Sequence, residues 1–568
     1  MKMKKAPGPD CLPSEVIRVF GREQLGACLS IMNEVLRTGE YPRTWKEARL
    51  VLIEKDRKDG QTDTTYRPIC LINVLGKVME RLLVKRLERE IEQRGGFSNA
   101  QHGFRPGRST IGALNSVMEV VNAANSGPYS SKKFVILLTL DIKNAFNSAP
   151  WGGILEELRR LQIPQYLVRM IESYLEDRSL LVKNTEIEMS CGVPQGSVLG
   201  PLLWNVYYDG VLRLRMPNGV SLVAYADDLA VLVTGKTVDD IMTSSHRALH
   251  RIGEWMTQKR LTLAIEKTEC VILSGRRSLT QIEINVEGVV IQSKEAIRYL
   301  GIMLGRNNNM FAHFQKVAER ATTKALRLRW LLPNVGGARA SKRRVLAGVI
   351  HSILLYGAPV WYDALKVKKN RKKIESAQRL AAIAVGSAYR TVSTEAIRVV
   401  TKIMPIDLMA YQRLRKYKED PVPEHQLLNS WQDRWEATRD KAQWTKRIIP
   451  DIRPWVMCQH GELNFMLTQV LTGHGLFNAY LKRFGIIDND KCWYCDEVDT
   501  VQHTVFDCPE FNAVRRRLWT EIGTEVTVEN MTRLMTTSVQ NWSLISTAIC
   551  EIMKQKWDKK QDIEGHEQ

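Results

Sequence analysis

The sequence predicts an α+β fold in which helices surround a small sheet, and three observations carry that reading. Apolar residues at helical spacing dominate about the first 130 residues. The run from Phe134 to Leu140 is short, continuous and apolar, as in a buried central strand, and it ends in Asp141. Two more apolar runs, Ser221 to Ala226 and Leu229 to Val233, are separated only by Asp227 and Asp228, which makes a tight hairpin. The acids thus lie at strand ends.

In chain order, residues 56–66 read as an exposed loop. Leu71 to Ile91 carries helical periodicity, and Ser109 or Thr110 caps a helix bearing Ile111, Leu114, Val117 and Val121. After the strands, Lys316, Arg320, Lys324 and Arg327 fall at i, i+4, i+8 and i+11, a narrow basic stripe on a helix. Phe314, Val317, Ala321, Ala325 and Leu328 make its apolar face, and Arg329, Arg339, Lys342, Arg343 and Arg344 add charge. The longest apolar stretch, Val345 to Tyr362, is interrupted by Pro359 and reads as a buried helix rather than a membrane span. Residues 419–425 mark a helix stop, 432–450 are rich in Trp, Lys and Arg, and Lys554 to Gln568 is charged and expected to fray.

The 568 residues allow about three to four domains. Hydrophobic residues at 44% and charged residues at 25% exclude a mainly disordered, collagenous or coiled-coil chain. Lys plus Arg is 82 and Asp plus Glu 62, a net charge of +20 that calls for a polyanionic partner, nucleic acid before an anionic membrane. The N-terminus lacks the apolar core of a signal peptide. Most of the ten cysteines are scattered, which points to a reducing compartment. Only Cys492, Cys495 and Cys508 cluster, with His503, as Cys-x2-Cys-x7-His-x4-Cys. Three thiolates and an imidazole suit one closed, structural Zn²⁺ site. A redox pair or unrelated buried cysteines are the alternatives. Lys491, Arg515, Arg516 and Arg517 flank it with charge, and Trp493 and Tyr494 offer rings for base stacking.

If the acid-bearing strands are neighbours, Asp141, Asp227 and Asp228 converge. Three such carboxylates repel one another unless divalent cations neutralise them, and Mg²⁺ takes oxygen ligands and pairs with substrate phosphates. Two such ions stabilise the attacking and leaving oxygens of a phosphoryl displacement. The bare dipeptide is weak evidence, since Asp239-Asp240 repeats it without such flanks.

Here the sequence resembles a known family. Tyr225-Ala226-Asp227-Asp228 resembles the signature hairpin of reverse transcriptases, Asp141-Ile142-Lys143-Asn144-Ala145-Phe146 their first acidic motif, and the segment Gly192 to Pro201 the motif between. The order and a gap of about 85 residues between the acids match too. Ala6 to Asp10, Tyr66-Arg67-Pro68-Ile69 and Gln101 to Thr110 are similar to finger motifs of non-LTR (LINE-type) retrotransposon enzymes, with Cys11 where the family often has Gly. Glu266-Lys267-Thr268-Glu269, Tyr299-Leu300-Gly301 and Val349 to Trp361 continue the series. Gly473-His474-Gly475-Leu476-Phe477, the Cys-His cluster and Phe506-Asp507-Cys508-Pro509 resemble the C-terminal end of type-1 retrotransposable element polyproteins of arthropods.

The resemblance implies a right-hand polymerase (fingers, palm, helical thumb) followed by a mainly helical C-terminal region with a small zinc knuckle. The boundaries it suggests are 1–305 for fingers and palm, 306–400 for thumb and connection, 401–485 for a helical linker region, 486–515 for the knuckle and 516–568 for a basic helical tail. Asp141, Asp227, Asp228 and the Ile142 carbonyl would hold two Mg²⁺ ions, with Mn²⁺ the alternative. Lys267 would give a proton to the leaving pyrophosphate. Lys55 and Arg67 would clamp the triphosphate, Phe146 would face the sugar and exclude a 2′-hydroxyl, and Gln195 would approach the base pair. Arg105 and Arg108 would hold the template, Tyr299 and Gly301 the primer end, and Lys316, Arg320, Lys324 and Arg327 the duplex backbone. By residue type alone, Phe146 is equally a core aromatic, Gln195 a plain turn, Lys267 a solvated lysine, and the four finger cations surface ion pairs.

The expectation is an RNA-directed DNA polymerase that copies element RNA from a DNA 3′-hydroxyl at a nicked target, using deoxynucleoside triphosphates, in the nucleus and without a membrane. An endonuclease is expected elsewhere in a parent polyprotein, because the first finger motif begins by residue 6 and no nuclease, protease or ribonuclease H pattern stands out. The rival readings are an intron-encoded reverse transcriptase with splicing help and a non-catalytic RNA-binding remnant.

Overall fold

A computed structural model describes residues 3–54, 66–183, 185–274, 278–331, 333–335 and 337–566. The chain divides into two compact units, Met1–Asn309 and Met310–Gln568.

The strands of the first unit are, in order, β1 (Glu47–Glu54), β2 (Tyr66–Ile72), β3 (Phe134–Leu140), β4 (Ser179–Val182), β5 (Thr185–Glu188), β6 (Val220–Tyr225), β7 (Asp228–Gly235), β8 (Glu269–Ile272), β9 (Glu283–Val286), β10 (Val289–Lys294), β11 (Ala296–Tyr299) and β12 (Ile302–Gly305). They form a four-stranded sheet ordered β2-β1-β4-β5, a six-stranded sheet ordered β6-β7-β3-β8-β10-β9, and the pair β11-β12. The uninterrupted apolar run of β3 is explained by its place: it lies inside the larger sheet, antiparallel to β7 on one side and β8 on the other. Val135, Ile136, Leu137 and Leu138 are wholly buried.

Helices Thr110–Asn125 and Val238–Gln258 pack against this sheet. Ser109 caps the first, its Oγ accepting from the Gly112 N–H at 3.1 Å. Thr237 and Asp240 form a reciprocal capping box on the second, so Asp239-Asp240 serves a helix start. One boundary differs from the sequence expectation. Leu71 and Ile72 belong to β2, and the helix runs Val74–Gln93. Their apolar side chains fit the helical period, but Leu71 and Ile72 pair with Arg49 and Ala48 across the sheet.

The second unit is helical in its described residues. Helices Phe311–Leu331, Ala340–Leu354 and Lys368–Gly386 pack on one another. The Val345–Tyr362 stretch bends after Leu354, and Trp361 is buried against Phe314 with ring centroids 5.2 Å apart. Among the described residues, no single helix is long and apolar enough to cross a membrane. Trp431, Trp435, Trp455, Phe477, Phe511 and Met553 share one core.

Among the described residues the charged stretch after Lys554 is helical rather than frayed: one helix runs Val539–His566. Lys556 is 1% exposed there. Its Nζ donates to Asp499 Oδ2 at 2.6 Å and to Thr504 Oγ1 at 2.8 Å. A buried lysine is tolerable because Asp499, itself buried, neutralises it.

Candidate active site

The register of the larger sheet brings the acids together. Leu140 pairs with Leu229, so Asp141, one residue on, emerges beside the end of the β6-β7 hairpin. That hairpin closes through Tyr225 and Asp228, and its two turn residues are Ala226 and Asp227. The turn therefore sits one residue earlier than the sequence suggests, with Asp228 as the first residue of β7. The reason is local. Ala226 adopts a left-handed φ of +60° and is bonded on both its N–H and its C=O by a side chain from elsewhere.

That side chain is Gln101, 1% exposed. Its Oε1 accepts from Ala226 N at 3.0 Å and Gly103 N at 2.8 Å, and its Nε2 donates to Ala226 O at 3.2 Å. The His102 N–H donates to Ala224 O at 2.8 Å. A β-carbon on Gly103 would come within 2.1 Å of the Ala226 nitrogen, so only glycine permits this approach. Nothing local in the sequence marks Gln101 as the brace of a turn 125 residues away.

A cavity of about 500 Å³ opens beside the acids. Arg67, Phe104, Asp141, Ile142, Phe146, Gln195, Asp227 and Lys267 are among its lining residues. Asp228 keeps solvent-exposed surface at the first position of β7, although protein crowds around its carboxyl, and it lies outside that lining. Lys267 Nζ is 2.7 Å from Asp141 Oδ2. The Asp141 hydrogen bond raises the Lys267 ammonium further. Burial, and then the charge of Asp141, push Asp227 up. Desolvation and the charges of Asp227 and Asp141 push Asp228 up to about 7. Carboxylates crowded in this way, with Lys267 paired to Asp141, are a set of oxygen donors that hard divalent ions would neutralise.

Phe146 is half-buried, stacked on Trp204 with centroids 5.4 Å apart. Gln195 reaches the cavity from a loop that is held twice. Its carbonyl accepts from Cys70 N at 2.7 Å, and the fully buried Glu80 accepts from Val198 N and, at 3.1 Å, Leu199 N. Glu80 was not legible as a site residue, because its partners lie 118 and 119 positions away.

Other expected contacts are placed differently. Lys55 lies outside the described residues. Arg105 donates Nη1 to the carbonyls of Ser98, at 2.6 Å, and Gln101, at 3.2 Å. Arg108 donates Nη2 to Asn99 Oδ1 at 2.9 Å. Both brace their own loop, and neither lines the cavity. The Tyr299 ring is buried, and burial with the Asp228 charge pushes its phenol up, so its side chain has no surface with which to hold a primer. The adjoining turn carries left-handed φ angles at Leu300, +43°, and Gly301, +86°.

In the second unit, Lys316, Arg320, Lys324 and Arg327 are all exposed on the helix Phe311–Leu331, while Phe314, Ala318, Ala321 and Ala325 are buried. Ligand atoms of Cys492, Cys495, His503 and Cys508 lie within 4.8 Å of one another. Cys492 Sγ is 3.9 Å from Cys508 Sγ, and Cys495 Sγ is 3.2 Å from His503 Nε2. Three sulfurs and one nitrogen this close fit a single tetrahedral ion. His474 contacts the Thr391 hydroxyl at 3.0 Å and packs on the Tyr480 ring.

Residues 54–304 match the model of a family described as reverse transcriptase (RNA-dependent DNA polymerase). The chain is similar to the retrovirus-related Pol polyprotein of type-1 retrotransposable element R1 from Bradysia coprophila, at 28% identity over 90% of this chain and 53% of that one. It is also similar to the RNA-directed DNA polymerase of mobile element jockey from Drosophila melanogaster, at 30% identity over 68% of this chain and 43% of that one. The chain spans about half the length of these curated relatives. Among solved structures, a telomerase from Candida albicans in complex with a telomeric RNA fragment aligns at TM-score 0.36 and 10% identity, over 72% of this chain and 68% of that one.

Proposed function

We propose, for a chain that carries a reverse transcriptase domain at residues 54–304 and is homologous to R1 and jockey Pol proteins, that it is the RNA-directed DNA polymerase of a non-LTR retrotransposon. It extends a DNA 3′-hydroxyl, at a nicked target, on an RNA template with deoxynucleoside triphosphates, and its place of action is the nucleus. The observation that carries this reading is the gathering of Asp141, Asp227, Phe146, Gln195 and Arg67 around one cavity.

Asp141, Asp227 and Asp228 are the residues to hold two Mg²⁺ ions, with the Ile142 carbonyl beside them. Bound ions supply charge neutralisation at the attacking and leaving oxygens. As the 3′-hydroxyl gives up its proton to water, its oxygen attacks the α-phosphorus, the bond to the bridging oxygen breaks, and pyrophosphate leaves. Lys267, within reach of Asp141, gives the pyrophosphate its proton. Arg67 pairs with the triphosphate, its fork matching phosphate oxygens. Gln195 contacts the nascent base pair and Phe146 faces the sugar.

The exposed stripe Lys316, Arg320, Lys324 and Arg327 binds phosphates without reading sequence, which suits an enzyme that slides. Cys492, Cys495, His503 and Cys508 hold one structural Zn²⁺.

Primer extension on an RNA template with Mg²⁺ tests the reading, with Asp227→Asn as the control. The variant should retain less than about 1% of wild-type incorporation, since charge stabilisation at the reacting centre is worth ~10²-fold or more. Equal incorporation by the two proteins removes the assignment.

A further inference from the structure

Behind the Phe146 side of the cavity stands a column of aromatic rings. Phe146 stacks on Trp204 at 29° between planes, Trp204 stacks on Tyr208 at 5.2 Å between centroids, and Tyr208 meets Trp255 edge-on. Trp204 and Tyr208 are fully buried, so the base of the column is fixed by the core. At the rim, Phe104 meets Phe146 edge to face, with centroids 5.8 Å apart and planes at 89°.

Phe104 is unusual in two ways. It is 48% exposed although it is a phenyl ring, and its backbone has a left-handed φ of +54°. Bulky residues avoid that region, because the β-carbon crowds the backbone. Burial does not explain the ring, and local preference does not explain the conformation. The neighbouring contacts do. Gln101, His102 and Gly103 are bonded to or pressed against Ala224 and Ala226, which fixes the next residue relative to Asp227. The outcome is a ring set over Phe146 by the same backbone that sets the acid.

We propose that Phe104 is a specificity-determining positioning residue: its T-shaped contact keeps the Phe146 ring stacked on Trp204, so the ring cannot swing aside for a 2′-hydroxyl. The inference rests on the reading of Phe146 as the residue that faces the sugar. With Phe104 truncated, Phe146 keeps Trp204 on one face and gains free space at its rim. Loss of one edge-to-face pair shifts such a balance by roughly two- to tenfold.

The test is single-nucleotide extension of a DNA primer on an RNA template by the full chain, reading kcat/KM for a deoxynucleotide and for the matching ribonucleotide. The variants are Phe104→Ala, Phe104→Tyr and Phe146→Ala. Phe104→Ala should lower the deoxy-to-ribo ratio by about fivefold, within the span expected of a ring pair, and Phe104→Tyr should restore it. If Phe146→Ala lowers the ratio while Phe104→Ala leaves it within about twofold of wild type, below the ring-pair effect, the inference fails and the gate at Phe146 stands. If Phe146→Ala leaves the ratio unchanged, the reading beneath the inference fails and takes the inference with it. Equal losses for both sugars in Phe104→Ala also overturn it, because a purely structural residue does not sort substrates.

Discussion

Gln101→Leu removes the side chain that braces the turn carrying Asp227 while keeping most of the volume. Three hydrogen bonds disappear: two accepted by Oε1 and one donated by Nε2. The N–H groups of Ala226 and Gly103 and the Ala226 carbonyl then face an apolar side chain in a buried setting. At ~1–3 kcal/mol for each of these three groups left unsatisfied, the cost is about 3–9 kcal/mol. At ~1.5 °C per kcal/mol for a unit of this size, that cost lowers the melting temperature by about 5–14 °C. The more specific effect is on chemistry. Ala226 precedes Asp227, and a displacement of ~1 Å at a reacting centre costs about 100-fold in rate. Single-turnover incorporation at saturating nucleotide should therefore fall about 100-fold, at a temperature where the variant is still folded. Gln101→Glu keeps both acceptors but sets a carboxylate against the Ala226 carbonyl, so its rate should fall between the two. A folded Gln101→Leu protein with wild-type rate would show that Gln101 merely fills the core.

Further outcomes follow from other parts of the molecule. Lys556→Met leaves Asp499 buried without its cation and should destabilise by about 3–5 kcal/mol. Adding Asp499→Asn should recover part of that loss, and urea denaturation of the single and double variants reads the difference. Reversing Lys316, Arg320 and Lys324 to Glu should weaken primer–template affinity and flatten its logarithmic salt dependence by about 0.9 for each phosphate no longer neutralised. An unchanged slope in a filter-binding titration would remove the stripe from the nucleic-acid surface. Burial holds the imidazoles of His313 and His351 down to about 4. Between about 6.5 and 4 these two imidazoles take up protons in the unfolded chain that they refuse in the folded one, so their contribution to stability falls as pH drops through that window and is level above it. Denaturation midpoints of wild type and His313→Phe across that range check this; parallel curves would refute it.

Much of the candidate site was legible because it is written in local patterns. The apolar run ending at Asp141 is typical of a buried strand and the two runs around Asp227 read as a hairpin, and both elements are there. The Cys-His spacing is likewise local, and its ligands meet. What could not be read was contact between distant segments. Gln101 and Glu80 look like ordinary polar residues until the hairpin and the Gln195 loop arrive beside them. Lys556 stands in a charged stretch that reads as solvated, and only its pairing with Asp499 turns it inward. Tyr299 and Arg105 stand in motif positions, yet one is buried and the other is spent on its own loop.

The bare contact between Gly103 and the Ala226 backbone has a mechanical consequence. At Gly103 no side chain separates the two backbones, and the Gln101 side chain ties them together besides. A displacement of the loop around residues 97–108 passes straight into the turn that carries Asp227. Loop and turn work as one lever, so a shift in the loop is felt at that carboxylate.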